Sequence, residues 1–431
     1  MGIAQEPGAA THKDIDLSAR SFWQKGQEER DRAFAILRAE NPVAWSRPPE
    51  SDLLPPEENI HGFWSLTRYE DIQLASRMPQ VFSSASGVTM EDFTPEMTEM
   101  AQSFIAMDAP RHPRLRGIVM EAFKPRNLRK LEGWIFERTR ELVDEMAGRG
   151  EGDFVADISV KLPGRIFTSF FGIPEGELAE QAVSAAQRLL SWTDPEACGD
   201  QTGLELFAGA VLDLYEVVQE LLPERQANPG DDVLSWIVNA EFEGQKMTDE
   251  DIQAFFVLMA VAANDTTRHA SAQAVYSFTR FPGQRTLLVS DIDRYVPTAV
   301  EEVLRWTFPV LHMRRTATRD FELRGTTIKE GEKVVLWYCS GNRDEEVFAD
   351  PFTFDITRNP NPHMTFGAGG PHYCLGAALA RTMLKAILTE IYTRIPDISA
   401  PEPDFLVANF INGIKSLPAT WTPERRRFPR A

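Results

Sequence analysis

The chain is poor in cysteine. Its 431 residues hold three, Cys198, Cys339 and Cys374, far apart and without a Cys-x-x-Cys spacing. That excludes a disulfide framework and a structural zinc site, and it suits a reducing cytoplasm. A long apolar run is also missing. The longest, Phe255 to Ala263, falls well short of the roughly eighteen residues that a membrane helix needs, so no membrane span and a soluble, cytoplasmic protein are expected. The first twenty residues lack the apolar stretch of a signal peptide and read as a loose polar tail. There is no surplus of positive charge: 45 Lys and Arg stand against 64 Asp and Glu, a net charge of −19, which argues against nucleic-acid binding. Nor does any repeat, linker or low-complexity block divide the chain, so residues 21–431 are expected to form one large domain. A hydrophobic fraction of 43% gives that domain a substantial core.

What is present is mostly helical patterning. Residues 126–148 carry apolar side chains at helical spacing, closed by Gly148 and Gly150. A longer helix is predicted from Thr248, with Asp251 three residues on approximating a capping box, to about Thr279, where Phe281-Pro282 stops it. It would span on the order of 45 Å. Further helices are predicted over Tyr69 to Ala75, from about Thr298 to Trp306, and from near Leu375. Short β-branched runs broken by Gly325 and Gly331 over 321–338 read as a small antiparallel sheet, with one more strand over 62–67 and a hairpin within 405–421. The result is a mainly α fold with small peripheral antiparallel sheets.

One stretch stands out chemically: His363-Met-Thr-Phe-Gly-Ala-Gly-Gly-Pro-His-Tyr-Cys-Leu-Gly376. Cys374 follows a loop with three glycines, which let a backbone take positive φ and approach a planar ligand. It also precedes a predicted helix, whose dipole and free N–H groups favour a thiolate. Such a thiolate is a strong donor to haem iron. A nucleotide loop and a structural cysteine are the alternatives. Gly367 and Gly369 begin a G-x-G, but no third glycine follows in place and no strong parallel strand precedes it.

Three other segments carry chemistry. Asp265 and Thr266 sit inside the long helix, where both compete with the backbone for hydrogen bonds, yet apolar residues surround them, which points to a buried functional pair rather than a solvated face. Glu302 and Arg305, three apart, would by themselves read as a surface ion pair. His112 and Arg116, four apart, share one face of a helix and suit a carboxylate clamp.

The loop ending in Cys374 resembles the haem-binding loop of cytochromes P-450, Phe-Gly-x-Gly-x-His-x-Cys-x-Gly, with one residue more between Phe366 and Cys374. Ala262 to Thr267, Glu302 to Arg305 and Met107 to Arg116 match that family's other motifs in order, and the likeness runs from about Phe22 to Trp421. Within the family it is most similar to mycobacterial hydroxylases of methyl-branched lipids and cholesterol side chains. The resemblance implies a large helical domain around a buried haem b (iron protoporphyrin IX), with Cys374 as axial ligand of the iron. It implies that His112, Arg116, Arg315 and His372 hold the two propionates, which in a largely apolar cavity require several donors. Asp265 and Thr266 become the acid–alcohol pair beside the oxygen site, where the family's helix opens locally. Ala263 replaces a glycine common there, which would tighten the groove. Glu302 and Arg305 become a buried pair locking the loop beneath the haem. Its usual third partner, an arginine, is replaced by Thr353, with Arg358 and His363 the two candidates to take its place. By position, Phe93, Phe104, Ile105, Leu258, Val261, Leu311, Phe410 and Ile411 line an apolar pocket.

The implied activity is monooxygenation: hydroxylation of an unactivated carbon of an apolar, lipid-like small molecule (a methyl-branched lipid, isoprenoid or sterol side chain) with O2. The two electrons would come from a separate ferredoxin and its NAD(P)H-dependent reductase, since these residues hold no flavin or ferredoxin module. From Asp108 to Glu132, seven basic residues (Arg111, Arg114, Arg116, Lys124, Arg126, Arg129, Lys130) against three acidic ones form a candidate ferredoxin docking patch. Two other readings stand beside this one. A peroxide-driven peroxygenase is disfavoured by the Asp265–Thr266 pair. A haem sensor or carrier would need neither that pair nor the patch.

Overall fold

Thr248 does cap the long helix. Its hydroxyl accepts from the Asp251 N–H, and the helix then runs without a break from Asp249 to Arg280, about 48 Å. The computed structural model describes residues 11–51, 53–55, 57–120, 125–241 and 244–424, the side chains of 125–130 excepted. Asp251 does not complete a capping box; its carboxylate accepts from Arg111 instead. Most of the central helix is buried, including Asn264, Asp265 and Thr267, so it is a core element with polar side chains inside rather than an amphipathic surface helix.

Around it pack helices Lys161–Phe170, Glu177–Leu189, Gly203–Ala227, Ile292–Thr307 and Ala377–Arg394. The helix predicted over 126–148 is Pro125–Ala147, and the one near the C-terminus begins at Ala377. Helix Ile292–Thr307 starts earlier than predicted. Asp291 caps it by accepting from the Arg294 N–H, and Pro297 is carried inside.

The sheet prediction over 321–338 needs correction. Phe321–Leu323 and Thr326–Ile328 form a two-stranded hairpin, but Lys333–Trp337 leaves it. That strand lies between Phe63–Leu66, to which it is parallel, and His312–Ala317, to which it is antiparallel, within a five-stranded sheet. All five of its residues are buried, as a strand covered on both faces requires. The C-terminal hairpin pairs Asp404–Phe405 with Ile414–Ser416, while Pro418–Thr420 pairs with Glu151–Asp153.

Residues 11–20 are not a loose tail. Leu17 and Ser18 are buried, and the Trp23 indole donates to the Leu17 carbonyl, because Trp23 stacks on Trp337 of the sheet and draws the segment in. Residues 1–10 lie outside the described residues. Among the described residues no helix is long and apolar enough to cross a membrane.

Candidate active site

The glycine-rich loop is shaped by its glycines. Gly367, Gly369 and Gly370 all have positive φ, and a Cβ on Gly370 would lie 2.2 Å from the Ser76 carbonyl oxygen. The loop is pinned at several points. Ser76 donates to the Gly369 carbonyl, Asn342 accepts from the Met364 N–H, Thr365 donates to the Leu304 carbonyl, and the Cys374 N–H donates to the Phe366 carbonyl at 2.9 Å. Cys374 ends up just before the helix that starts at Ala377, its side chain open to a cavity and otherwise enclosed by protein. That enclosure pushes its thiol pKa up; the Gly376 N–H and the charges of Arg116 and Arg381 pull it down.

The cavity has about 1380 Å³ of empty space, its mouth included. Cys374 lies on its wall, and Arg116, Arg315, His372 and Thr266 line it too. His112 lies beside it, its ring 4.2 Å from that of His372. Desolvation, aided by the positive charges of Arg116 and Arg315, lowers His112 to about 4, so the ring is neutral at pH 7. Its buried Nε2 has no hydrogen-bond partner among the described residues. His372 is lowered to about 2, by burial first and then by the same cations and His112. Arg315 is buried and donates to the Arg314 carbonyl, and Arg116 donates to the Tyr373 carbonyl. Two guanidinium groups, a histidine and an unpartnered ring nitrogen thus gather beside an otherwise apolar cavity with a thiol on its wall. This donor set fits a planar apolar group that carries two carboxylates and binds a thiolate through its metal, which is haem.

On the central helix Leu258, Met259, Ala262, Ala263, Thr266, Thr267 and Ala270 face the cavity. The Thr266 hydroxyl donates to the Ala262 carbonyl at 2.9 Å, and the helix stays α-helical there, so the expected local opening is absent. Asp265 is buried but does not line the cavity; it faces Arg268 at 3.5 Å. Burial raises its carboxyl to about 6, against the lowering effect of Arg268.

Of the expected pocket residues, Phe104, Ile105 and Leu258 line the cavity; Phe93, Val261, Leu311, Phe410 and Ile411 do not. Phe93 stacks on Phe207, and Phe410 meets His312 edge-on. Leu311 packs into the aromatic cluster around Trp337, and Ile411 bridges to Val310. Val261 is four residues from Asp265 and shares its face of the helix. Val310, Met313 and Tyr338, not anticipated, take places in the lining. Strand alternation over His312–Ala317 would have pointed to Met313, since it lies on the same side as Arg315.

Beneath the loop, Glu302 and Arg305 are fully buried and joined by two bonds of 2.7 and 2.8 Å, which rules out a surface pair. Arg305 also donates to the carbonyls of Asn342, Pro351 and Thr353. Thr353 therefore takes part through its backbone. Arg358 stands 3.3 Å from Glu302, and Asn361 and the Asp355 N–H donate to the same carboxylate. His363 faces Glu301 instead, at 3.0 Å. The structure therefore puts Arg358, not His363, in the third position.

Of the basic patch, Arg111 pairs with Glu99 and Asp251, and Arg114 donates to Gln245. Lys124 and the side chains of Arg126, Arg129 and Lys130 lie outside the described residues.

The family described as "Cytochrome P450" matches residues 204–394. The methyl-branched lipid omega-hydroxylase of Mycobacterium tuberculosis is 42% identical over 420 residues, 95% of each chain. The steroid C26-monooxygenase of the same organism is 36% identical over 406 residues, 90% of this chain and 89% of that one. The solved structure of Mycobacterium marinum cytochrome P450 CYP268A2 in complex with pseudoionone superposes with a TM-score of 0.90 at 44% identity, covering 96% of this chain and 100% of that one.

Proposed function

This chain belongs to the cytochrome P450 family, a haem-containing monooxygenase family, and from that premise we propose that it hydroxylates a terminal carbon of a methyl-branched, isoprenoid or sterol-like lipid. The electrons come from a ferredoxin and its NAD(P)H-dependent reductase. The observation that carries this reading is the cavity itself: Phe104, Ile105, Leu258, Ala262 and Val310 give it an apolar wall that continues past Thr266 to Cys374. Such a wall takes up a hydrocarbon end through burial of apolar area and offers it no charged partner. The names of the similar proteins, a branched-lipid omega-hydroxylase and a steroid C26-monooxygenase, support the same substrate class.

When bound, haem supplies the oxygen activation that the side chains lack. Cys374 would be its ligand; burial raises the thiol's pKa, and the Gly376 N–H, Arg116 and Arg381 work against that rise. Arg116, Arg315, His112 and His372 would hold its carboxylates, the unpartnered His112 Nε2 among the donors available to them. Thr266 holds a proton at the cavity wall. With its hydrogen given to Ala262, its oxygen accepts from a water or hydroxyl placed beside it. Asp265, raised to about 6, exchanges protons near neutral pH behind that wall.

A panel of methyl-branched fatty acids, isoprenoids and sterols tests the proposal. Members of the class should shift the haem Soret band on binding, and ferredoxin, reductase and NADH should then give product oxidised at a terminal carbon. Absence of shift and product across the panel would refute the substrate class. Equal turnover with peroxide alone would favour a peroxygenase, and binding without turnover under either condition a sensor or carrier.

A further inference from the structure

Glu91 belongs to no motif singled out above. It is 1% exposed, and among the described residues its carboxyl forms no ion pair. The cations nearby, Arg314 and Lys333 on neighbouring strands, direct their bonds to the Asp92 carboxylate instead, at 2.7 and 2.8 Å. The Glu91 carboxyl is met by Asn409, itself 5% exposed, whose Nδ2 donates to Oε1. The other oxygen of each group, Glu91 Oε2 and Asn409 Oδ1, is buried and has no hydrogen-bond partner among the described residues. Two acceptor oxygens cannot bond to one another. One proton on Oε2 makes it a donor to Oδ1 and satisfies both at once, in the ring of two hydrogen bonds that a carboxylic acid forms with an amide.

The pair sits where two segments that back the cavity wall meet. Residues 88–92 reach the turn that carries Phe104 and Ile105, the Val88 N–H donating to the Gln102 side chain just before it. Asn409 lies in the loop of the C-terminal hairpin. That loop is tied to 309–311 by the Leu311 N–H to Phe410 and the Asn412 N–H to Pro309, and Val310 between them lines the cavity. His312 spans the same two segments. Its Nε2 accepts from the Met90 N–H, so its Nδ1 carries the hydrogen and donates to the Asn409 carbonyl. We propose that Glu91 is held as a neutral carboxylic acid whose proton is a latch, fastening residues 88–92 to the C-terminal loop behind the cavity wall. The assignment needs neither the haem reading nor the substrate class. Burial raises the Glu91 carboxyl and Asp92 adds to this, against the lowering by the Asn409 amide and Lys333. Of the other groups facing it, His312 is kept neutral, lowered to about 3 by burial. Burial opposes the Asp92 charge, but Arg314 and Lys333 outweigh it and hold that carboxyl low. The latch is therefore closed at low pH and opens as pH rises through the folded-state value of Glu91, where the carboxylate loses its bond to Oδ1.

The test uses the haem-loaded full chain as wild type, E91Q and N409A. A glutamine at 91 can donate to Oδ1 and accept from Nδ2, so E91Q keeps both bonds and removes the titration. Arg314, Lys333, Asp92 and His312 remain in every variant, so the comparison isolates Glu91. Two quantities are read. The infrared difference spectrum, wild type minus E91Q, should carry the carbonyl band of an un-ionised carboxyl at neutral pH, and the band should fade as pH rises. Amide hydrogen exchange of 88–92 and 407–412, corrected for its intrinsic rise with pH, should accelerate in wild type by about tenfold for each pH unit above the Glu91 transition. E91Q should stay protected through that range, and N409A should exchange faster at every pH. Carboxylate bands in place of the carbonyl band at neutral pH would overturn the proposal. Protection that falls alike in wild type and E91Q, or in neither, would overturn the latch, as would E91Q exchanging faster than wild type at neutral pH. Should N409A fail to fold, wild type and E91Q decide the matter alone.

Discussion

Replacing Arg305 with Ala removes the side chain that joins three segments beneath the glycine-rich loop. The variant leaves a buried Glu302 carboxylate, and breaking a buried ion pair by removing one partner costs about 3–5 kcal/mol. Arg358, Asn361 and the Asp355 N–H still face that carboxylate, so the lower end of that range, about 3 kcal/mol, applies to this part. Three carbonyls, of Asn342, Pro351 and Thr353, also lose a charged donor, at about 1 kcal/mol each. The sum, about 6 kcal/mol, is comparable with the whole stability of a typical domain, about 5–15 kcal/mol. Arg305→Ala should therefore be obtained largely unfolded or without haem. Arg358→Ala, which removes the 3.3 Å contact to Glu302 and the more exposed bonds to the carbonyls of Ala349, Asp350 and Thr353, should cost about 2 kcal/mol. His363→Gln should leave this cluster intact, since His363 pairs with Glu301. Urea unfolding followed by circular dichroism, with haem absorbance alongside, measures all three. An Arg305→Ala protein within about 1 kcal/mol of wild type and fully loaded with haem would refute the reasoning. A larger loss for His363→Gln than for Arg358→Ala would refute the choice of third partner.

Three further outcomes follow from the central helix. Burial raises Asp265 to about 6, against about 3.9 in an unfolded chain, so the native state holds the extra proton between those values. The stability contributed by that proton is full below about pH 4 and is lost as pH rises through about 6; Asp265→Asn should abolish the fall and be more stable at neutral pH by about 3 kcal/mol, as urea midpoints on either side of the window would show. Thr266→Ala should keep fold, haem and substrate binding, because Ala suits a helix at least as well, yet give less product and more hydrogen peroxide per NADH consumed; unchanged coupling would exclude the hydroxyl from proton handling. Leu258→Trp should weaken binding of bulky lipids at least tenfold in Soret titrations, whereas Val261→Ala, outside the cavity lining, should leave them within about twofold; equal effects would contradict the lining assigned here.

The elements legible in the sequence were those with local punctuation. Thr248 as a cap and Phe281-Pro282 as a stop bound the central helix to within a residue, because both signals act on the backbone at the position where they stand. Lys333–Trp337 was misassigned because strand pairing is decided at long range: nothing near Val334 says that its neighbour is Trp64. Motif spacing brought Cys374, Thr266, Arg116, Arg315 and His372 together at one cavity, but motifs do not encode which way a side chain faces. Val261 lies within the same helix as Leu258 and points elsewhere. Helical periodicity alone does not separate them, since Val261 is one turn from both Leu258 and Asp265. Arg358 was only half legible. Its distance in sequence from Glu302 is bridged by a loop whose path depends on Asn342 and Thr365.

The measurement closest to the central claim is the carbon monoxide difference spectrum of the reduced protein, taken on wild type and on Cys374→Ser. Wild type should show the band of a thiolate-ligated haem, because Cys374 alone among the three cysteines opens onto the cavity that Arg116, Arg315 and His372 also line. Cys374→Ser should lose that band while His112, Arg116, Arg315 and His372 remain in place. Survival of the thiolate band in Cys374→Ser would contradict the account, since another ligand would then hold the iron.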